Sequence, residues 1–120
     1  MLGDYRRTRI FIKPGKTDFR KAINGLSGII ENQMRLGPLS GCYFVFCNKR
    51  KDRMKILYWD QNGFCLWYKR LEKDKFIWPM TEEDAQELSA DEFSWMLRGL
   101  DYRRAHKRLD FPVIFKSACV

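Results

Sequence analysis

The residues best suited to chemistry in this chain are three clusters of lysine and arginine. Arg20 and Lys21 form the first cluster, residues 49–55 contain the second, and residues 103–108 contain the third. Bases at turns and tails can reach phosphates without burying their own charge, and each neutralised phosphate releases counterions. One such cluster is typical of a solvated turn, whereas three together favour a binding surface. The candidate DNA-binding residues are Arg20, Lys21, Lys49, Arg50, Lys51, Arg53, Lys69, Arg70, Arg103 and Arg104.

The distribution of charge along the chain points the same way. The 120 residues have a formal net charge of +8, although residues 81–92 hold six acids and no base. The remainder of the chain is therefore strongly basic, as expected of a protein with a nucleic-acid partner. The alternative interpretation is a basic protein whose charge serves only to keep it dispersed.

Catalytic and metal-binding chemistry has little support in the residue types. His106 is the only histidine, and the four cysteines form no Cys-x-x-Cys pair, so a zinc site is not expected. Metal-dependent nucleases need converging carboxylates, and the candidates Asp18, Asp52, Asp60 and Glu72 lack a recognised metal-binding spacing. We therefore expect no catalytic residue, no bound metal and no cofactor.

Aromatic side chains alternate with lysine and arginine along two predicted strands. Such rings could stack on the bases of single-stranded nucleic acid, or they could simply form the core. Because burying an unpaired lysine is costly, we expect the helices to cover the sheet face that carries no lysine. The other face would then expose a partner-binding patch of Lys55, Trp59, Trp67 and Lys69, provided that the turn at residues 62–63 has the required register.

These residues must be positioned by a small α+β domain. A first helix is predicted after a cap at Thr17 or Asp18, and a second after a capping box formed by Ser89 and Glu92. The strands after the first helix are joined by turns too short for a crossover, so we expect an antiparallel meander. The order β-α-β-β-β-β-α predicts one antiparallel sheet of about five strands with two packed helices. The predicted strands are residues 9–13, 43–47, 54–59, 64–71 and 76–78.

The chain is expected to hold one domain, residues 1–104, followed by a basic and then apolar C-terminal tail at residues 105–120. No window approaches the ~18 consecutive apolar residues of a membrane span. The first residues are charged and lack the apolar core of a signal peptide, which favours a cytoplasmic location.

Several motifs resemble those of a known family. They include residues 17–21, 52–57, 68–72 and 78–79, in order and at matching spacing over roughly residues 8–104. In these motifs the chain is similar to the small accessory protein, often called TnpB, that the second open reading frame of the insertion-sequence-66 group of bacterial transposable elements encodes.

The resemblance implies an accessory role in DNA transposition, beside a separate transposase that carries out strand transfer. It carries over no catalytic residue. The function we expect is non-catalytic DNA binding at the ends of the element or within the transposase–DNA complex. The alternative is a protein–protein adaptor that docks on the transposase through an aromatic sheet face and has no direct DNA role.

Overall fold

The computed structural model describes residues 2–81 and 84–105, in which five strands form one sheet. The strands are β1 (Ile10–Ile12), β2 (Tyr43–Cys47), β3 (Arg53–Asp60), β4 (Gly63–Arg70) and β5 (Gln86–Leu88). Their spatial order is β4-β3-β2-β1-β5. Two helices accompany the sheet, α1 (Ile23–Asn32) and α2 (Ala90–Leu97), with short 3-10 helices at Tyr5–Arg7 and Tyr102–Arg104. The α+β class and the two helices agree with the prediction.

The prediction of a purely antiparallel sheet is wrong, because β1 runs parallel to β2. The connection between these strands contains α1, and a connection of that length can return the chain to the end of the sheet from which it started. The pairs β2–β3, β3–β4 and β1–β5 are antiparallel. The sheet is therefore mixed, and only β2 to β4 form the expected meander.

The predicted fifth strand at residues 76–78 is also wrong. Phe76 and Trp78 are buried, but the Phe76 N–H donates to the carbonyl of Lys51 in a turn, so this segment crosses the end of the sheet instead of extending an edge. The fifth strand is β5, which lies in the acidic stretch and pairs Leu88 with Ile10. Among the described residues, no helix has the length and apolarity needed to cross a bilayer.

The two helix starts differ in how well local patterns predicted them. The capping box before α2 is confirmed: the Glu92 N–H donates to Ser89 Oγ at 3.1 Å, and the Ser89 N–H donates to Glu92 Oε1 at 2.9 Å. Helix α1 begins at Ile23 without a side-chain cap. The Asp18 carboxylate accepts instead from the Arg20 N–H in a turn before the helix, so the predicted cap at Thr17 or Asp18 is wrong.

The helices lie on opposite faces of the sheet. On the α1 face, Phe44, Phe46 and Leu57 pack with Leu26 and Ile30 of the helix. On the α2 face, buried sheet residues pack with Phe93 and Met96 of α2. These sheet residues include Tyr43, Val45, Met54 and Ile56. Strand β2 is consequently buried on both sides, which agrees with its uninterrupted apolar sequence.

Candidate nucleic-acid interface

One end of the sheet collects basic segments from distant parts of the chain. Strands β1 and β2 end there because they are parallel, and their antiparallel neighbours make β3 begin there and β4 end there. We call this the basic end. It contains the β2–β3 turn at residues 48–52, with Arg53 after it, and also Lys69 and Arg70.

The Asn48 side chain closes the β2–β3 turn from inside. Asn48 Oδ1 accepts from the backbone N–H groups of Asp52 and Arg53 at 3.1 and 3.0 Å, and Asn48 Nδ2 donates to the Asp52 carboxylate at 2.7 Å. This side-chain hydrogen bond lowers the pKa of Asp52 from its ordinary value, so the carboxyl stays ionised. With the turn fixed from inside, Lys49 and Arg50 extend into solvent.

The first basic cluster is tied to the same end. Lys55 Nζ donates to the carbonyls of Phe19 and Lys21, each at 3.0 Å, which anchors the segment before α1 to β3. Arg20 forms a 2.7 Å ion pair with Asp18, and its side-chain hydrogen bond lowers the pKa of that carboxyl to about 2. The charge of Arg20 is therefore offset locally, whereas Lys21 is exposed and forms no ion pair within the described residues.

Lys69 and Arg70 lie at the end of β4 but have local partners. Lys69 Nζ donates to the carbonyl of Leu97 at 2.7 Å, where a cation also complements the C-terminal end of the α2 dipole. Arg70 pairs with Glu72 at 3.0 Å, which raises the pKa of the guanidinium. The charge of Arg70 is therefore offset locally, as that of Arg20 is, whereas Lys69 has a structural role in holding the end of α2.

The third cluster follows α2 along this end. Gly99 lies beside Leu71, and the buried Tyr102 packs into the α2-face core. Arg103 is held by Asp101 at 2.8 Å, whereas Arg104 is exposed and forms no ion pair in the described part of the chain. The remaining cluster residues, 106–108, lie outside the described residues, as does the rest of the predicted tail.

At the opposite end of the sheet, three arginines each lie beside a carboxylate, in the pairs Arg6–Asp91 at 3.2 Å, Arg7–Asp4 at 3.7 Å and Arg9–Glu87 at 2.7 Å. The acidic stretch that begins near residue 81 supplies two of these partners. The positive charge of the described domain is thus concentrated at the basic end.

The predicted aromatic patch does not exist. The β3–β4 register pairs Trp59 with Phe64 and Ile56 with Trp67, so the two indoles lie on opposite faces. Trp67 packs with the α2-face core, and Trp59 contacts the Phe64 ring that packs on the α1-face core. Lys55 and Lys69 are separated in the same way. The cause is the two-residue turn between residues 60 and 63. It sets a register in which even-numbered residues of β3 share a face with odd-numbered residues of β4, whereas the prediction placed odd-numbered residues of both strands on one face.

The acidic side chains considered as nuclease candidates are mostly held by local partners. Asp18 and Glu72 are paired with arginines, Asp52 binds an asparagine, and the described residues contain no group of three or more metal-ligating side chains. Burial raises the pKa of the Cys47 thiol to about 12, so it remains protonated at neutral pH.

Three further lysines at the basic end were not among the predicted DNA-binding residues. Lys16 and the pair Lys73 and Lys75 are exposed in the connections that follow β1 and β4. The segment containing the pair passes close to the β2–β3 turn, because Phe76 bonds to Lys51. The polar sequence directly after β4 was the available indication, since the first residues that leave a strand stay near its end.

The fold is a small α+β domain with one mixed sheet and a basic end, and the sequence relationships identify its class. The family described as "IS66 Orf2 like protein" matches residues 8–107, and the chain belongs to this family. It is thereby associated with transposition in an accessory role.

Individual relatives come from Sinorhizobium fredii (strain NBRC 101917 / NGR234). The chain is 38% identical to the uncharacterized protein y4jC over 108 residues, which cover 90% of this chain and 92% of the relative. It is 34% identical to the uncharacterized protein y4hO over 103 residues, covering 86% and 90%. No solved structure matches the chain significantly.

Proposed function

We propose that the protein binds DNA without catalysing a reaction on it, with the basic end against the phosphate backbone. The observation that carries the proposal is the gathering of basic segments from distant parts of the sequence at one end of the sheet. Lys21, Lys49 and Arg50 are exposed there and form no ion pairs among the described residues. Neutralising phosphates with such side chains releases counterions, which favours binding to DNA of any sequence.

Family membership gives this DNA binding a context. The proposed site of action is the end of the mobile element or the complex of DNA with the transposase, which would itself carry out strand transfer. The proposed partners are therefore DNA and the transposase.

The adaptor alternative loses its main support. It required an aromatic sheet face containing both Trp59 and Trp67, and these side chains lie on opposite faces near different helices. The basic end is the surface that the described residues favour.

The proposal is tested by removing two charges from the β2–β3 turn. The double variant Lys49→Ala/Arg50→Ala should bind duplex DNA more weakly, with a shallower dependence of affinity on salt. Losing two phosphate contacts should reduce the slope of log K against log salt by roughly 1.8. Fluorescence anisotropy of a labelled duplex, repeated over a series of salt concentrations, measures this slope directly.

The matched control is Arg6→Ala/Arg7→Ala, which removes the same charge from the opposite end of the sheet. Its slope should stay close to that of the unmodified protein. Equal slopes for the two double variants would show that net charge alone governs binding. An absence of DNA binding by the unmodified protein at low salt would overturn the proposal altogether.

A further inference from the structure

The outer edge of β4 presents unpaired backbone groups. The Leu71 N–H donates to the Asp52 carbonyl at 2.8 Å, which fixes the alternation of hydrogen-bonding directions along the strand. Odd-numbered residues of β4 direct their N–H and C=O groups toward β3, and even-numbered residues direct theirs away from the sheet. The outward-facing residues are Phe64, Leu66, Tyr68 and Arg70.

No residue within 2–81 or 84–105 hydrogen-bonds to these outward groups. The strand is eight residues long, contains no proline and pairs with β3 without a bulge. Its flanking side chains are largely apolar and only partly covered, and Tyr68 is 49% exposed. Natural sheets usually protect such an edge, because it is a template for pairing with another strand.

The charge along this edge favours a second copy of the same chain. The turn end of the β3–β4 hairpin carries Asp60 and no lysine or arginine, whereas residues 69–75 at the other end of β4 carry four basic side chains against two acidic ones. Antiparallel pairing of β4 with β4 of a second copy brings the acidic turn end of each hairpin toward the basic end of the other. Parallel pairing would bring the two basic ends together, where like charges repel.

We propose that β4 pairs antiparallel with β4 of a second copy, which joins two sheets into one of ten strands. The register that uses every outward group places Phe64 opposite Arg70 and Leu66 opposite Tyr68. Trp67 then faces its own counterpart across the twofold axis, as an isologous interface requires. One strand pair buries less than the roughly 1,200 Å² of a standard interface, so the dimer is weak and its formation depends on concentration.

Sedimentation and amide exchange on the full chain test this pairing together. The mass should rise from 14.4 kDa toward twice that value as the concentration approaches the millimolar range. Over the same range, exchange should slow at the outward amides of Phe64, Leu66 and Tyr68. The inward amides of Cys65 and Trp67 serve as internal controls and should exchange slowly at every concentration. A constant 14.4 kDa mass, or a dimer without slowed outward amides, would overturn the proposal.

A matched pair of variants at one position separates backbone pairing from side-chain contact. Tyr68→Pro removes an outward N–H and leaves the bonds to β3 intact, a placement that edge strands tolerate. It should keep a native circular dichroism spectrum and remain monomeric. Tyr68→Thr removes the ring, retains the N–H and should still dimerise. A folded Tyr68→Pro protein that dimerises like the unmodified chain contradicts the model of pairing; if that variant does not fold, the exchange measurement on the unmodified chain decides.

Discussion

Replacing Trp78 with alanine is expected to lower the free energy of unfolding by roughly 3–5 kcal/mol. The indole is 5% exposed and packs into the α2-face core, although its segment belongs to no strand. Its N–H donates to the carbonyls of Lys13 and Gly15, each at 3.1 Å. Truncation would remove the buried ring and also leave these carbonyls without a donor. Urea unfolding followed by circular dichroism measures the loss.

Two further substitutions divide this effect into its parts. Trp78→Phe keeps most of the buried ring and loses the hydrogen bonds, so a smaller loss of roughly 1–3 kcal/mol is expected. The neighbouring Ile77 is 37% exposed, and Ile77→Ala should change stability much less. If Trp78→Ala and Ile77→Ala were equally mild, the segment would not be an integral part of the core.

Phe93→Ala is the second large expected effect, again roughly 3–5 kcal/mol of unfolding free energy. Phe93 is fully buried on α2, with its ring 5.1 Å from that of Tyr5 and 6.3 Å from that of Tyr43, both in edge-on arrangements. It therefore joins the N-terminal segment, the helix and β2. Truncation should also reduce the near-ultraviolet circular dichroism of the two tyrosines, because their packing partner is lost.

The control for this prediction lies one residue away. Ser94 is half-buried on the same helix, and Ser94→Ala should change stability by no more than about 0.5 kcal/mol. Comparable losses from Phe93→Ala and Ser94→Ala would mean that α2 is not held to the sheet through Phe93.

Local patterns predicted the elements whose cause is local. The Ser89–Glu92 capping box is a short-range pair of hydrogen bonds, and the apolar run Tyr43–Cys47 is typical of a strand buried on both faces. That same run was evidence for helices on opposite faces. A strand that is apolar on both faces needs a cover on each face, which conflicts with the expectation that both helices cover one face.

The errors arose where distant residues decide the structure. Strand β5 has only Leu88 fully buried, and its Glu87 is held by Arg9 at the start of the neighbouring β1, so its sequence shows no strand periodicity. The apolar residues 76–78 had the better strand pattern, but their partners lie in a turn and a loop. The start of α1 was misplaced because Asp18 binds Arg20 instead of capping the helix.

The basic residues of the candidate site could be identified from sequence, whereas their grouping could not. Short turns keep the β2–β3 turn and the end of β4 together, which a meander already implies. The anchoring of Lys21 by Lys55 and the pairing of Arg70 with Glu72 depend on side-chain geometry. Neither follows from composition or spacing.

The position of β1 between β2 and β5 has a consequence for how the chain folds. The first strand to be synthesised is paired on one side by the next strand and on the other only by β5, near the end of the described chain. Closing such long loops carries an entropic penalty before any contact forms, which slows folding. During translation, Ile10 and Ile12 stay uncovered until β5 and α2 leave the ribosome. Completion of the sheet is therefore expected to be a late step of folding, and a nascent chain held before it exposes the apolar surface that chaperones bind.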